Sequence, residues 1–163
     1  MTQPPPAPPA PPAAPPYSQG PSGPRANFGQ RLVAFLIDVV VIVVALVVLV
    51  GIAAAIDETL AILAYILGIV GSALYYAYLE GSPSGQTIGK KALGIRVVDF
   101  NTGGSLGFGR GLIRWVARIP SQFLCYLGYL WMLWDREKQT WHDKLATTVV
   151  VPESAYPVEK WPG

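Results

Sequence analysis

Residues 31–56 read RLVAFLIDVVVIVVALVVLVGIAAAI and, after Asp57-Glu58-Thr59, residues 60–79 read LAILAYILGIVGSALYYAYL. Residues 39–56 carry no charged or strongly polar side chain. At helical rise such a run matches a hydrocarbon core about 30 Å thick. The second run is of similar length, with nothing more polar than Ser72 and its tyrosines. A backbone surrounded by hydrocarbon must satisfy its own hydrogen bonds, so both runs are expected to be helices. The polar residues between them allow only a tight connection, hence an antiparallel transmembrane hairpin. The expected class is an all-α membrane protein.

Asp38 breaks the apolar rule. An ionised carboxylate inside a span costs a few kcal/mol even on the insertion scale. Arg31 lies seven residues earlier, on the same helical face about two turns away. Asp38 therefore either completes an interhelical hydrogen-bond network or an arginine pair that serves packing, or binds a transported cation or proton.

The totals fit this class. The chain has 163 residues, 52% of them hydrophobic, and a net charge of +2. Once the proline-rich tail is set aside, the remainder makes one small membrane domain with no room for a separate catalytic one. One cysteine, Cys125, and one histidine, His142, allow neither an intrachain disulfide nor a Cys/His metal cluster. No phosphate-binding glycine loop, HExxH or GxSxG pattern occurs, so an enzyme is the poorest fit and no cofactor or nucleic-acid partner is expected.

Residues 1–24 hold eleven of the sixteen prolines. Proline lacks a backbone donor and clashes within a helix, so residues 1–26 are expected as a disordered or polyproline II tail. It would serve as a spacer or as a ligand for a proline-recognition groove. The membrane domain is expected over 27–151, with Asn27 as helix N-cap, and a short C-terminal tail over 152–163. Tyr75, Tyr76 and Tyr78 suggest an interfacial aromatic belt. Arg25 and Arg31 precede the first span, and Lys90, Lys91, Arg96, Arg110, Arg114 and Arg118 follow the second, whereas the connecting loop has only acids. The positive-inside rule then puts the N-terminus in the cytoplasm of a multi-pass plasma-membrane protein.

Beyond the hairpin, residues 95–100 read as a strand and Asn101-Thr102-Gly103-Gly104 as a turn. Residues 108–119 form an amphipathic pattern in which Arg110, Arg114 and Arg118 recur every four residues. A basic amphipathic helix beside a membrane anchor is expected to lie against anionic lipid, its rival being an arginine face that lines a polar cavity. Pro120 is expected to interrupt it. Residues 121–134, SQFLCYLGYLWMLW, form a third apolar segment, too short alone for a full span. It either crosses with help from 118–120 or returns as a re-entrant arm.

A weak internal repeat bears on that choice. QTIGKKALGIRVV at 86–98 aligns with QTWHDKLATTVVV at 139–151, and each copy follows an apolar segment and an acid, Glu80 or Asp135. The copies are expected to pair as a small cytoplasmic sheet, which requires both on one side; inverted repeats are the alternative.

RLVAFLID, GQTIGKKALGIRVVD and WDREKQTWHDKLATTVVV, in this order, resemble the RDD family of small bacterial membrane proteins over roughly residues 28–151. The family is named for one arginine and two aspartates; carried over, these are Arg31, Asp38 and Asp143. The proline-rich extension looks like those of actinobacterial members. The resemblance implies a role in transport, for some members cation/proton exchange, with Arg31, Asp38 and Asp143 as substrate-binding residues. Two or three helices enclose little pathway, so a homo-oligomer or a partner membrane subunit is expected. The alternative is a non-transporting scaffold that recruits partners through its tail.

Overall fold

A computed structural model describes residues 22–124 and 127–155. The bulk of the proline tail, Cys125 and most of the C-terminal tail lie outside the described residues. The hairpin is present as α1, Phe28–Ala54, and α2, Glu58–Gly81. Asn27 caps α1 through a capping box with Gln30, and Asp57 caps α2 by accepting the Thr59 and Leu60 amides. Both helices are long and apolar enough to cross a membrane. Val40, Val47, Ile52, Ile66 and Leu67 are among many apolar side chains left exposed along them.

A compact base closes the α2 end of the hairpin. It comprises α3 (Ile88–Ala92), β1 (Ile95–Asp99), α4 (Phe108–Phe123), α5 (Leu127–Leu130), α6 (Trp141–Leu145) and β2 (Thr148–Pro152), with 3-10 turns at Trp131–Leu133 and Glu153–Ala155. Strands β1 and β2 pair antiparallel, Val97 opposite Val150 and Asp99 opposite Thr148. The two repeat copies thus meet in one sheet at one end of the hairpin. Their buried valines form the core of the base with Ile95, Leu106, Ala26 and Ala34. Asp99 closes the 101–104 turn by accepting the Asn101 and Thr102 amides.

Two expectations need correction, and one choice left open by the sequence is narrowed. Residues 22–26, assigned by composition to the tail, are packed: Ala26 is wholly buried and donates to the Val150 carbonyl, while Arg25 pairs with Glu137. Proline content alone could not show that contact. Pro120 does not end α4, which runs through it for one more turn. The missing proline donor removes only one helical bond, and the Leu124 amide still bonds back to the Pro120 carbonyl. Residues 121–134 form no third spanning helix among the described residues, but the end of α4, the single turn α5 and a 3-10 turn.

Candidate functional site

The base holds a cluster of buried ions directly under the hairpin. At its centre is Glu80, on the last turn of α2 and wholly buried. Its Oε1 accepts from Lys90 Nζ of α3 at 2.8 Å and from Arg118 Nη2 of α4 at 2.5 Å. Its Oε2 accepts from Arg114 Nε at 3.0 Å. Arg114 then extends Nη1 to Asp143 Oδ1 of α6, 2.5 Å away, and to the Thr148 hydroxyl. Arg31 of α1 closes the chain by pairing with Asp143 Oδ2 and donating to the Lys138 carbonyl at 2.9 Å. One arginine thus bridges two carboxylates, and the cluster ties α1, α2, α3, α4 and α6 together.

Local chemistry delivers these groups. Arg110, Arg114 and Arg118 share a face of α4, and that face is pressed onto α2 because Gly111 has no side chain: a Cβ there would collide with the Ala77 carbonyl. Asp143 sits at N3 of α6 in a capping box, where its Oδ2 also accepts the Thr140 amide at 3.0 Å. Arg118 lies 4.3 Å from the centre of the Tyr76 ring, whose face favours a cation.

Asp38 stands beside the cluster but outside its ion pairs. It is wholly buried, and Tyr75 Oη and the Gly89 amide donate to Oδ1 at 2.7 and 2.8 Å, while Thr87 Oγ1 donates to Oδ2 at 2.6 Å. It therefore clamps α2 and the start of α3 onto α1. No lysine or arginine lies within ion-pair distance of it among the described residues.

A cavity of about 270 Å³ opens beside these groups. Arg31, Asp38, Lys90, Arg114, Arg118 and His142 line it together with Phe28, Leu32, Phe35, Leu130 and Met132. Electrostatics there follow burial. For Asp143, burial alone would raise the carboxyl, but Arg31 and Arg114 outweigh it and hold the group well below the usual carboxylate range. For His142, burial pushes the imidazole well below its ordinary value, and Arg118, Arg114 and Arg31 add to this against the pull of Asp143. It is a neutral ring whose Nε2 is 3.0 Å from the Thr140 hydroxyl. Burial also moves the Lys90 ammonium down, despite Glu80.

Of the residues expected to bind substrate, Arg31 and Asp143 meet directly, whereas Asp38 bonds to neither and shares only the cavity lining with Arg31. The Arg31–Asp38 pair suggested by their spacing is not made, because Arg31 turns down to α6. Arg110, Arg114 and Arg118, expected against anionic headgroups, turn inward instead. Arg114 is wholly buried, and Arg110 binds Asp99 and the Ala146 and Thr147 carbonyls. The apolar side of α4, with Ile113 and Val116, is the exposed one. Acids were waiting on the inside, and a buried guanidinium needs them. Tyr75 and Tyr76 likewise face inward, leaving Tyr78 exposed. Sequence reasoning missed Glu80, which reads as the polar end of an apolar run. The available signal was three arginines on one helix face, which require acids elsewhere.

The sequence pattern of the RDD family matches residues 25–147. The "Proline-rich antigen homolog" of Mycobacterium tuberculosis is 42% identical over 77 residues, covering 47% of this chain and 32% of that protein. The "Proline-rich antigen" of Mycobacterium leprae is 38% identical over 77 residues, 47% of this chain and 30% of that one. Protein YxaI of Bacillus subtilis is 40% identical over 83 residues, 51% of this chain and 54% of its own length. The matched stretch thus spans about a third of the mycobacterial relatives. No solved structure matches the chain.

Proposed function

The chain belongs to the RDD family, and from that premise we propose a two-span plasma-membrane protein that works in transport, with its base and both termini on the cytoplasmic side. The observation that carries this reading is Asp38. It is a wholly buried carboxylate within the first apolar helix, held by hydroxyl and amide donors rather than by a cation. Such a group is expensive in a span and is a natural proton or cation stop. Excess lysine and arginine in the base, against acids alone in the α1–α2 connection, supports the orientation. Two helices alone enclose little pathway, so movement of an ion needs a second copy or a partner subunit.

The test is cation and proton flux in vesicles reconstituted with the full-length chain. Asp38→Asn keeps hydrogen-bonding capacity and size, so it should leave the protein folded and reduce flux at least tenfold. Wild-type flux in a well-folded Asp38→Asn protein, or no flux from the native chain, would overturn the transport reading. Orientation is checked separately. A cysteine at the exposed Thr102, with Cys125 replaced, should be shielded from a membrane-impermeant thiol reagent in intact cells.

A further inference from the structure

The cavity under the hairpin joins two chemistries that rarely share a wall. Four cations, Arg31, Lys90, Arg114 and Arg118, border it, while among the described residues two carboxylates, Glu80 and Asp143, form ion pairs with them. Asp38 also borders the cavity, but its oxygens are already engaged by three uncharged donors. Cations therefore outnumber carboxylates by four to three even with Asp38 included. Arg118 is 7% exposed, and its Nη1 is buried with no hydrogen-bond partner among the described residues. Arg118 is paired with Glu80 through Nη2, but a buried N–H left at Nη1 costs stability until an acceptor answers it.

The rest of the lining is mostly apolar and aromatic. Phe28, Leu32 and Phe35 of α1 line the cavity together with Leu130 and Met132, beside Tyr76, Tyr129 and Thr140. Leu32 both lines the cavity and is 42% exposed, so the cavity reaches the flank of α1, which in a spanning helix faces hydrocarbon. A free inorganic anion would leave the apolar lining unused, and a neutral lipid chain would leave the surplus positive charge and Arg118 Nη1 unanswered.

We propose that the cavity is a binding site for an amphiphile with an acyl chain and an anionic phosphate head. The head meets Arg118 and its neighbouring cations, and the chain lies between α1 and the Leu130–Met132 wall. This rests on the hairpin's placement in a bilayer but not on transport. The placement is tested independently: a protein washed off membranes by alkaline carbonate would end that reading whatever the cavity binds.

The experiment uses the full chain in neutral dodecyl maltoside micelles, with thermal unfolding followed as dodecyl phosphate or inorganic phosphate is added. Dodecyl phosphate should raise the midpoint saturably, and inorganic phosphate at equal concentration should not. Arg118→Gln should weaken the apparent affinity about tenfold or more, the loss expected for a hydrogen bond between charged groups. Leu130→Trp fills the apolar part and leaves every ion in place, so it should abolish the saturable shift; it also serves if Arg118→Gln fails to fold. No saturable shift in the native chain would overturn the proposal. An equal shift from inorganic phosphate would reduce the site to one for free anions and overturn the acyl half. A shift undiminished in Leu130→Trp would place the effect on the outer surface and sink the cavity assignment.

Discussion

The two halves of the base are built to one plan and charged in opposite senses. In each, a glutamine reaches back to a strand carbonyl, Gln86 to Ile95 at 3.1 Å and Gln139 to Thr148 at 2.8 Å. In each, a threonine caps a five-residue helix, Thr87 for α3 and Thr140 for α6. Both copies even place left-handed residues at matching positions, Gly85 with Lys138 and Gly94 with Thr147. Yet the residue at N3 is Lys90 in the first copy and Asp143 in the second. Lys90 answers Glu80, Asp143 answers Arg31, and Arg114 joins the two acids. The preceding residue differs too. Gly89 lets α3 lie on α1, since a Cβ there would collide with the Ala34 carbonyl, whereas His142 fills the same place in α6. A duplicated backbone thus gives the hairpin two complementary clasps around one arginine helix.

The largest effect should come from removing the acid that the first clasp shares with α4. Glu80→Gln leaves Lys90 and Arg118 buried with no counter-charge and Arg114 with Asp143 alone, and losing one partner of such a pair costs about 3–5 kcal/mol. Against an overall stability of about 5–15 kcal/mol, much of the protein should fail to fold. Asp143→Asn should cost less, because Glu80 still answers Arg114. Thermal unfolding of purified variants in detergent decides this. A Glu80→Gln protein as stable as the native chain would show that the clasps are not joined through Glu80.

The hairpin and the pairing of the copies were legible because each rests on a pattern written along the chain: two long apolar runs, and QT-to-valine segments of equal spacing. The direction of the arginine face was not. An amphipathic period says that Arg110, Arg114 and Arg118 share a side, but only packing decides whether that side meets lipid or acids. Gly111 against Ala77 settled it, and a glycine at a helix crossing carries no periodic signal. Asp38 was recognisable as costly, yet its donors come from Tyr75, Thr87 and the Gly89 amide, 37 to 51 residues away. No local spacing links such groups, so the Arg31 pairing that spacing did suggest was never formed.

A second contrast between the clasps is titration. His142 is faced by Asp143 on its own helix, by Arg114 and Arg118 from α4, by Arg31 from α1 and by the Tyr129 ring. It stays neutral in the folded state, while an unfolded histidine takes up a proton near pH 6.5. The unfolded state therefore binds more protons below that pH, and stability is lost as pH falls through it. The loss should approach ~1.4 kcal/mol per pH unit below about 6, until the folded-state value is reached. Asp143 and Asp99, both held below the usual range, add their losses only under about pH 4. Unfolding midpoints between pH 7 and 5 should thus fall in the native chain and stay flatter in His142→Gln. Equal slopes would show that the second clasp is not the titrating half.

The smallest effect tests the matched left-handed positions. Gly94 has a φ of 59° and Thr147 a φ of 52°, each between a short helix and its strand. Glycine adopts this conformation freely, whereas an L side chain pays about 1–2 kcal/mol, and a β-branched one is an outlier. Nothing lies within 4 Å of a Cβ built at Gly94, and the Thr147 side chain is exposed, so neither position is decided by contacts. Changing Thr147 to glycine removes the strain but adds about 0.5–1 kcal/mol of unfolded-chain entropy. The net should be a gain of roughly 0.5 kcal/mol. Gly94→Ala runs the same balance in reverse and should destabilise by roughly 0.5–1 kcal/mol. The Thr147 carbonyl accepts from the Phe100 amide and from Arg110, so its backbone must hold this shape whichever residue stands there. Opposite signs for the two substitutions in denaturation midpoints would establish one backbone plan realised twice. A Thr147→Gly protein less stable than the native chain would mean that the threonine hydroxyl or methyl contributes more than its strain removes, and the equivalence of the two clasps would end at that residue.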